Sequence, residues 1–326
     1  MAYNNSLHEH LIFCITLPLS TAIILANLLI IVGIACNRQL HNTPNYFFLS
    51  LLVAALCTGV ALPFIPRMGL NRRLNFCTCL LVHIFPNFLF LSFLFNLVMV
   101  HFERYLCIVR PLHYSQFWVH RWFPLALLTV WVPPLLYASL PAFGWNNSPA
   151  RGANSSTCSD LREEDCSYRL VFPKAFIYLE VYGLLLPAIM SIVGMTGRVL
   201  WIAREQVRDM CKLHRTVERA QVSEQEHRLN LRYAKCLAAV SLTFLLCWVP
   251  YIIYLHVSVV LLERNGEALG GSTTHIILSC TGIGSMAVIP VILGLANRQY
   301  TDPLHKLLQR VRCRWRRTQP SADIQL

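Results

Sequence analysis

Charge is scarce in this sequence and is confined to a few short segments. Asp, Glu, Lys and Arg make up 13% of the 326 residues, whereas soluble domains carry about 25%. Seven stretches contain no such residue or only one, at 10–37, 39–66, 74–102, 122–150, 175–197, 236–262 and 268–297. Each is longer than the roughly 20 helical residues that cross the hydrocarbon core of a bilayer. The scarcity predicts an all-α integral membrane protein, a bundle of seven transmembrane helices.

Several functional signatures are missing as well. Histidines, cysteines and carboxylates do not fall at the spacings of a metal site and no nucleophile motif is present, so no metal or other cofactor is expected and a membrane enzyme is disfavoured. A transporter or channel would have inverted repeats or several charges inside the membrane. Here the one carboxylate within a stretch is Glu180, and no internal repeat is found. The seventh stretch lacks lysine, which excludes a retinal Schiff base.

The basic residues that remain predict the orientation. If alternate junctions, beginning with the one after Asn37, lie in the cytosol, that side has 20 Lys and Arg and the other side 8, with 8 acidic residues on each. The net charge of +12 then belongs to the inner side, and the positive-inside rule places residues 1–10 outside. Nucleic acid is therefore not the partner that this charge indicates. All three Asn-x-Ser sequons fall outside and are predicted glycosylation sites: Asn4, Asn146 and Asn154.

The third inner loop, residues 198–235, is amphipathic. Its nine basic residues, among them Arg204, Arg208 and Lys212, alternate with apolar ones, which predicts a cytosolic extension of the fifth helix. This basic face meets either anionic lipid headgroups or a cytosolic protein.

The chain after the bundle at 11–297 is also amphipathic. Residues 298–326 begin with a pattern typical of a short amphipathic eighth helix that lies on the inner leaflet. Cys313, which stands among arginines, is a predicted palmitoylation site.

Five landmarks follow one another along the stretches. They are Asn27 in the first, Glu103-Arg104-Tyr105 at the end of the third, Trp131 in the fourth, Pro187 in the fifth and Cys247-Trp248-Val249-Pro250 in the sixth. Together they resemble the rhodopsin-like G protein-coupled receptors. The resemblance implies a receptor that activates a heterotrimeric G protein.

Two of these landmarks have the chemistry of switches. Arg104 can pair with Glu103 at the inner end of the third helix, and its release would free it for a cytosolic partner; the alternative is an ordinary interfacial arginine. Pro250 removes a backbone hydrogen bond and so kinks the sixth helix. Trp248, half a turn earlier, would pass ligand contact into this hinge, and the alternative is core packing alone.

Three positions depart from the common pattern of the family. Ala55 stands where most relatives have an aspartate, and Ile289-Pro290-Val-Ile-Leu293 stands where they have Asn-Pro-x-x-Tyr. The sodium site of those relatives is therefore not expected here. Pro86 stands where amine receptors have an aspartate, which excludes that class as a close analogy.

Three segments look like the bile acid receptors within this family: Pro86-Asn87-Phe88, Leu140-Pro-Ala-Phe-Gly144-Trp145-Asn146 and Tyr178-Leu-Glu180-Val-Tyr182-Gly-Leu-Leu-Leu-Pro187. The resemblance covers residues 20–305 and implies a plasma-membrane receptor whose agonist is a bile acid or related steroid. It also implies coupling to the stimulatory G protein, a rise in cyclic AMP, and arrestin as a further cytosolic partner. A receptor for another lipid, such as a lysophospholipid or a different steroid, is the alternative.

The same resemblance implies a disulfide that ties Cys79 on the third helix to the second outer loop. Two cysteines of that loop could be its partner, Cys158 and Cys166. Alignment backwards from Glu180 places the loop cysteine of the family at Cys166, so a Cys79–Cys166 bridge is predicted. Cys77 and Cys158 would then be left for a second outer bridge.

Several polar residues are candidates for a ligand pocket. Helical spacing puts His83 and Asn87 on one face of the third helix, and Tyr251, Tyr254 and Ser258 in a stripe above Trp248 on the sixth. With the surrounding apolar residues they predict an apolar cavity with a few polar groups, which suits an amphipathic lipid. The alternative is that these groups only bond neighbouring helices.

Glu180 is the remaining candidate. It precedes Pro187 by seven residues, two helical turns, which predicts that both face the same side of the fifth helix. An interfacial glutamate held by an outer-loop arginine such as Arg169 is the bland alternative. The resemblance to the bile acid receptors instead implies that Glu180 lines the pocket and accepts a hydrogen bond from a steroid hydroxyl, shared with Tyr251.

Overall fold

The computed structural model describes residues 2–41, 43–64, 73–110, 114, 123–147, 164–165, 171–213, 220–265 and 272–296. Within these residues the chain forms a bundle of seven helices, α1 to α7. Their bounds are Ala2–Cys36 for α1, Thr43–Ala61 for α2, Phe76–Val109 for α3, Phe123–Thr129 with Val132–Ser139 for α4, Lys174–Tyr178, Leu179–Leu185 and Leu186–Leu213 in succession for α5, Ala220–Asn265 for α6 and Ser272–Ala296 for α7.

The outer surface of the bundle is apolar. Six of the helices contain spans long and apolar enough to cross a bilayer, and α2 adds a shorter one, Asn45–Ala61. Large apolar side chains such as Leu25 and Leu29 of α1 lie on this surface instead of in the core. Such a surface is stable in lipid, because each helix satisfies its own backbone hydrogen bonds. The predicted all-α transmembrane architecture agrees with this arrangement.

The ends of the chain add one difference from the sequence-based expectation. Helix α1 begins at Ala2, so most of the predicted outer segment 1–10 is the first part of this helix, and its apolar span is Ile12–Cys36. The predicted eighth helix and Cys313 lie outside the described residues, as does the sequon at Asn154.

Helix α3 occupies the centre of the bundle. It packs against α2, α4 and α5, while α7 packs against both α6 and α1. Large apolar side chains fill the interior between these helices: Leu51, Leu52, Phe93, Leu97, Phe244 and Ile289. The small Ala55, fully buried, lies in this core at the position where most relatives have a carboxylate.

Buried polar side chains tie neighbouring helices together. The Asn27 amide of α1 donates to the backbone oxygen of Met286 in α7 at 3.0 Å. The Trp131 indole donates to the Ser50 hydroxyl of α2 at 2.9 Å. Lipid tails are as apolar as the helix surfaces, so burial of apolar surface does not by itself favour contact between helices. Hydrogen bonds such as these therefore help to hold the helices together.

Helix α4 is interrupted at Val130 and Trp131. Pro133 and Pro134 follow directly, and neither has an N–H group. The carbonyls of Thr129 and Val130 therefore cannot receive the helical hydrogen bond from four residues further on. Two adjacent prolines explain why the fourth apolar stretch folds as two helical segments.

A small element of sheet joins two outer loops. Strand β1, Arg73–Leu74, pairs antiparallel with β2, Glu164–Asp165, and Arg73 lies opposite Asp165. Next to β1, both Cys77 and Cys79 are disulfide-bonded. Cys158 and Cys166 lie outside the described residues, so the pairing of these cysteines stays a prediction.

Candidate ligand-binding and coupling sites

A π-helical segment, Leu179–Leu185, positions Glu180 in α5. A π-helical turn contains more residues than an α-helical turn and is often found at functional sites. Consequently Glu180 points into the bundle, with 6% of its side chain exposed, while Pro187 lies on the lipid-facing surface. The prediction that Glu180 and Pro187 face the same side is wrong, because it assumed regular α-helical turns.

Glu180 contacts Asn87 of α3. The Asn87 amide nitrogen lies 3.2 Å from one carboxylate oxygen of Glu180 and 3.0 Å from the other. Among the described residues no cation lies within ion-pair distance of Glu180; Arg169, the suggested partner, lies outside them. A buried carboxylate is costly unless it is bonded, and here a neutral amide provides the bond.

Two tyrosines from other helices lie near Glu180, and a third tyrosine lies near one of them. Tyr251 of α6 interacts electrostatically with Glu180 and with Tyr254. Tyr137 of α4 interacts electrostatically with Glu180, donates its hydroxyl to the backbone oxygen of Phe176 at 2.8 Å and stacks on the Phe176 ring at 4.6 Å. Tyr137 was not predicted; its one sequence signal is a polar tip within an otherwise apolar run.

The two other predicted ligand residues lie nearer the outer end. His83 nitrogen Nδ1 lies 2.9 Å from the Cys79 carbonyl, which can only accept, so this nitrogen carries a proton. The His83 ring also packs edge-on against Phe172 at 6.3 Å. The Ser258 hydroxyl is buried and has no hydrogen-bond partner among the described residues.

Trp248 forms the floor below Tyr251. The two rings meet edge-on at 6.0 Å, and Phe90 of α3 packs against Trp248 at 4.3 Å. The indole N–H donates to the Ser285 hydroxyl of α7 at 3.0 Å. A Cβ atom at Gly282 would lie 2.9 Å from the Trp248 ring, so glycine is what lets α7 approach this closely. Trp248 thus joins α3, α6 and α7 two residues before Pro250.

An apolar groove of about 810 Å³ lies on another side of the bundle, between α3, α4 and α5. Its lining includes Phe102, Thr129, Pro187 and Arg198, and includes neither Glu180 nor Asn87. Because Pro187 lies on the lipid-facing surface, this groove opens toward the bilayer and is suited to membrane lipid. It is separate from the site around Glu180.

The inner end of α3 contains the expected pair. Arg104 Nε lies 3.4 Å from a carboxylate oxygen of Glu103, whose side chain is 1% exposed. The Tyr114 hydroxyl donates to the other Glu103 oxygen at 2.7 Å. Burial and the nearby Glu103 carboxylate raise the pKa of Tyr114, so its hydroxyl keeps the proton that it donates. Tyr114 was missed because nothing in the sequence indicates that the inner loop folds back onto Glu103.

The predicted cytosolic extension of α5 lies at the same end of the bundle as the Arg104–Glu103 pair. The helix runs unbroken to Leu213, as the amphipathic pattern predicted. Arg204 and Arg208 are exposed on it. Lys212 lies in the same helix, but its side chain is outside the described part of the structure.

The two ends of the bundle are therefore suited to different tasks. The outer end has a buried carboxylate with tyrosine and amide neighbours, and the inner end has a paired arginine beside exposed basic residues. Asn87 and Arg104 are 17 residues apart on α3, about 25 Å of helix. Helices α3 and α6 connect the two regions.

Comparison with known proteins gives matches along the whole bundle. Residues 26–292 match the model of the 7 transmembrane receptor (rhodopsin family). The G-protein coupled bile acid receptor 1 of Homo sapiens is 43% identical over 297 residues, which cover 91% of this chain and 84% of that protein. Its counterpart from Rattus norvegicus is 42% identical over 298 residues, with the same coverage. The adenosine receptor A2a of Homo sapiens is 29% identical over 246 residues, 72% of this chain and 58% of that protein.

A family match of this extent agrees with the seven helices. The family is one of receptors and not of enzymes. The chain belongs to the rhodopsin family of seven-transmembrane receptors.

Proposed function

We propose that this receptor binds bile acids or related steroids in the outer half of the bundle and activates the stimulatory G protein, which raises cyclic AMP. It would act at the plasma membrane with its N-terminus outside. The relatives at 43% and 42% identity, named as bile acid receptors, support the ligand class. The observation that carries the proposal is the hydrogen bond from the part-buried Asn87 amide to the buried carboxylate of Glu180, near Tyr137 and Tyr251.

The polar groups of this site select for a ligand that donates hydrogen bonds. Asn87 uses its amide N–H groups on Glu180, and its Oδ1 oxygen is buried without a partner among the described residues. Both that oxygen and the carboxylate of Glu180 can accept a proton from a steroid hydroxyl. The Tyr251 hydroxyl can share the same ligand group.

The charge of the site also orients the ligand. An acidic tail is repelled by Glu180, so the carboxylate of a bile acid would point away from it, toward the outer mouth. The rigid steroid body would be held by apolar contact: burial of about 300 Å² contributes about 7 kcal/mol, before the costs of association. Trp248, at the floor, would receive this contact and transmit it toward Pro250.

Coupling would take place at the inner end. Arg104, once released from Glu103, would contact the G protein together with Arg204, Arg208 and Lys212 on the α5 extension. Arrestin would use the same side. The opposite ends of α3 would thus hold ligand and G protein.

The experiment that tests this proposal is a ligand panel. Cells that express the receptor are exposed to lithocholic acid, deoxycholic acid, cholesterol and a lysophosphatidic acid, and cyclic AMP is measured against untransfected cells. We expect a response to the two bile acids only. A response to lysophosphatidic acid alone would assign the receptor to another lipid, and a response through another second messenger would contradict the stimulatory coupling.

A further inference from the structure

Three polar side chains from three helices meet in the inner half of the bundle. His101 of α3 lies with Nε2 3.1 Å from the Ser241 hydroxyl of α6, and that hydroxyl lies 2.8 Å from the Thr196 hydroxyl of α5. All three side chains are buried, with exposures of 1% for His101, 5% for Ser241 and 6% for Thr196. The contact has no part in the ligand site or in the Arg104–Glu103 pair.

The protons of this cluster can be assigned in part. His101 Nδ1 lies 2.9 Å from the Leu97 carbonyl, which only accepts, so Nδ1 carries a proton. Ser241 lies between the other two and has one proton to donate, to His101 Nε2, to the Leu237 carbonyl at 2.9 Å or to the Thr196 hydroxyl. Thr196 completes the chain from the other side. In the lipid-surrounded interior no bulk water replaces these bonds when they break.

The position of the cluster connects it with the coupling end. His101 precedes Arg104 by three residues, one helical turn on the same face of α3. Ser241 lies nine residues before Pro250, which is about 14 Å along α6 toward the level of Arg104. The cluster therefore holds the inner half of α6 between its proline kink and the level of Arg104.

An apolar contact between α5 and α6 lies next to the cluster. On its inner side, Val199 and Ala203 of α5 meet Ala234 and Leu237 of α6 in a small apolar contact. Partly buried side chains of α3, α5 and α6 pack against this contact: Tyr105, Ile108, Leu200 and Leu231. Apolar packing has no preferred direction, so the hydrogen bonds among His101, Ser241 and Thr196 provide the directional link between α3, α5 and α6 at this level.

We propose that His101, Thr196 and Ser241 form a polar latch that positions the inner half of α6 against α3 and α5 and thereby sets ligand-independent activity. In the latched arrangement Arg104 stays paired with Glu103. When the latch opens, α6 moves away from α3 and the coupling surface becomes accessible. The latch residues are positioning residues, and the activity that they restrain rests on the proposed G protein coupling.

Loss of the central hydroxyl should favour the open arrangement. Loss of one buried hydrogen bond shifts a two-state equilibrium by about five-fold. We expect this shift for Ser241→Ala and for Thr196→Val, which preserves side-chain shape. Ser241→Thr keeps a hydroxyl and should behave as the unmodified receptor.

The chain contains matched controls for both helices. Thr243 lies two residues from Ser241 on α6, but its hydroxyl bonds to the Ala239 carbonyl of its own helix. Ser191 lies on α5, and its hydroxyl bonds to the Pro187 carbonyl of its own helix. Thr243→Ala and Ser191→Ala therefore remove a hydroxyl without breaking a link between helices.

The reactivity of a cysteine thiol on α6 can be used to measure opening of the latch in the absence of any G protein. Cys236 is 8% exposed, and its sulfur contacts the Ile292 carbonyl of α7 at 3.6 Å. In ligand-free membranes, the rate at which N-ethylmaleimide modifies Cys236 is measured by mass spectrometry of its peptide. Ser241→Ala and Thr196→Val should raise this rate about five-fold, while the two controls and Ser241→Thr leave it unchanged.

Ligand-free cyclic AMP per surface receptor is the second readout and should rise by the same factor. An unchanged or slower Cys236 modification in both Ser241→Ala and Thr196→Val overturns the latch, whatever the cyclic AMP result. A faster modification supports it. Faster modification with flat cyclic AMP, in a receptor that also gives no cyclic AMP with lithocholic acid, supports the latch and contradicts stimulatory coupling.

Discussion

Asn87 and Glu180 are 93 positions apart in the chain, yet the Asn87 amide bonds to both carboxylate oxygens of Glu180, at 3.2 and 3.0 Å. The pair ties α3 to α5 in the outer half of the bundle. Because asparagine is neutral, the pair places no positive charge beside Glu180. A ligand that enters here meets an acceptor-rich site, which distinguishes a hydroxylated steroid from one without hydroxyls.

Arg104→Ala should abolish the cyclic AMP response while bile acid binding stays within about two-fold of normal. Arg104 is 17 residues from Asn87, about 25 Å along α3, so its removal should leave the outer site unchanged. Radioligand binding and cyclic AMP are measured on the same membranes. Arg38→Ala, at an exposed arginine in the turn after α1, is the control and should keep the response. Equal loss of binding and signalling would show that the variant misfolds and would leave coupling without support.

Gly282→Ala should destabilise the receptor by about 1–3 kcal/mol, as other overpacked cores are. The added Cβ would lie 2.9 Å from the Trp248 ring, which is held by Ser285 and Phe90. The melting temperature of the purified receptor is the measurement. Gly197→Ala is the matched control, since a Cβ there meets nothing within 4 Å. Equal melting temperatures for the two variants would contradict the close approach of α7 to Trp248.

Cys166→Ala should remove most surface expression, and Cys158→Ala should be milder. The basis is the 14-residue spacing from Cys166 to Glu180, which matches the bile acid receptors, and Cys79 is disulfide-bonded. Loss of a native bridge typically costs about 2–5 kcal/mol in small secreted domains. Surface expression by flow cytometry decides between the two cysteines. If Cys158→Ala is the damaging change, Cys158 and not Cys166 is the partner of Cys79.

The architecture could be predicted because lipid imposes a simple rule on the sequence. Helices that cross a bilayer exclude charge over about 20 residues, and each of the seven helices overlaps one of the seven charge-poor stretches. Glu180 could be selected because it is the one carboxylate inside such a stretch, and Asn87 because helical spacing puts it on one face with His83. The place of each polar residue along its helix then determined its depth in the bundle.

Features that depend on other parts of the chain could not be predicted in this way. The π-helical segment at Glu180 changes which residues face the core, and regular α-helical spacing therefore placed Pro187 on the wrong side. Tyr114 bonds to Glu103 and Tyr137 interacts electrostatically with Glu180, each from another segment, and sequence spacing on one helix does not reveal such interactions. The break in α4 follows from Pro133 and Pro134, which apolar length alone does not take into account.

A comparison of two steroids, one with a hydroxyl and one without, tests whether Glu180 binds the ligand directly. Affinities of purified receptor are measured for lithocholic acid, which has one hydroxyl, and for 5β-cholanic acid, which has none. Glu180→Gln should lower the affinity for lithocholic acid several-fold, because the loss of charge assistance costs about 1 kcal/mol. Glu180→Ala should lower this affinity further, and both variants should change the affinity for 5β-cholanic acid little. Glu205→Gln, at an exposed glutamate on the cytosolic extension of α5, is the matched control and should change neither affinity. Equal loss for both steroids in correctly folded Glu180 variants would contradict a direct hydrogen bond from ligand to Glu180.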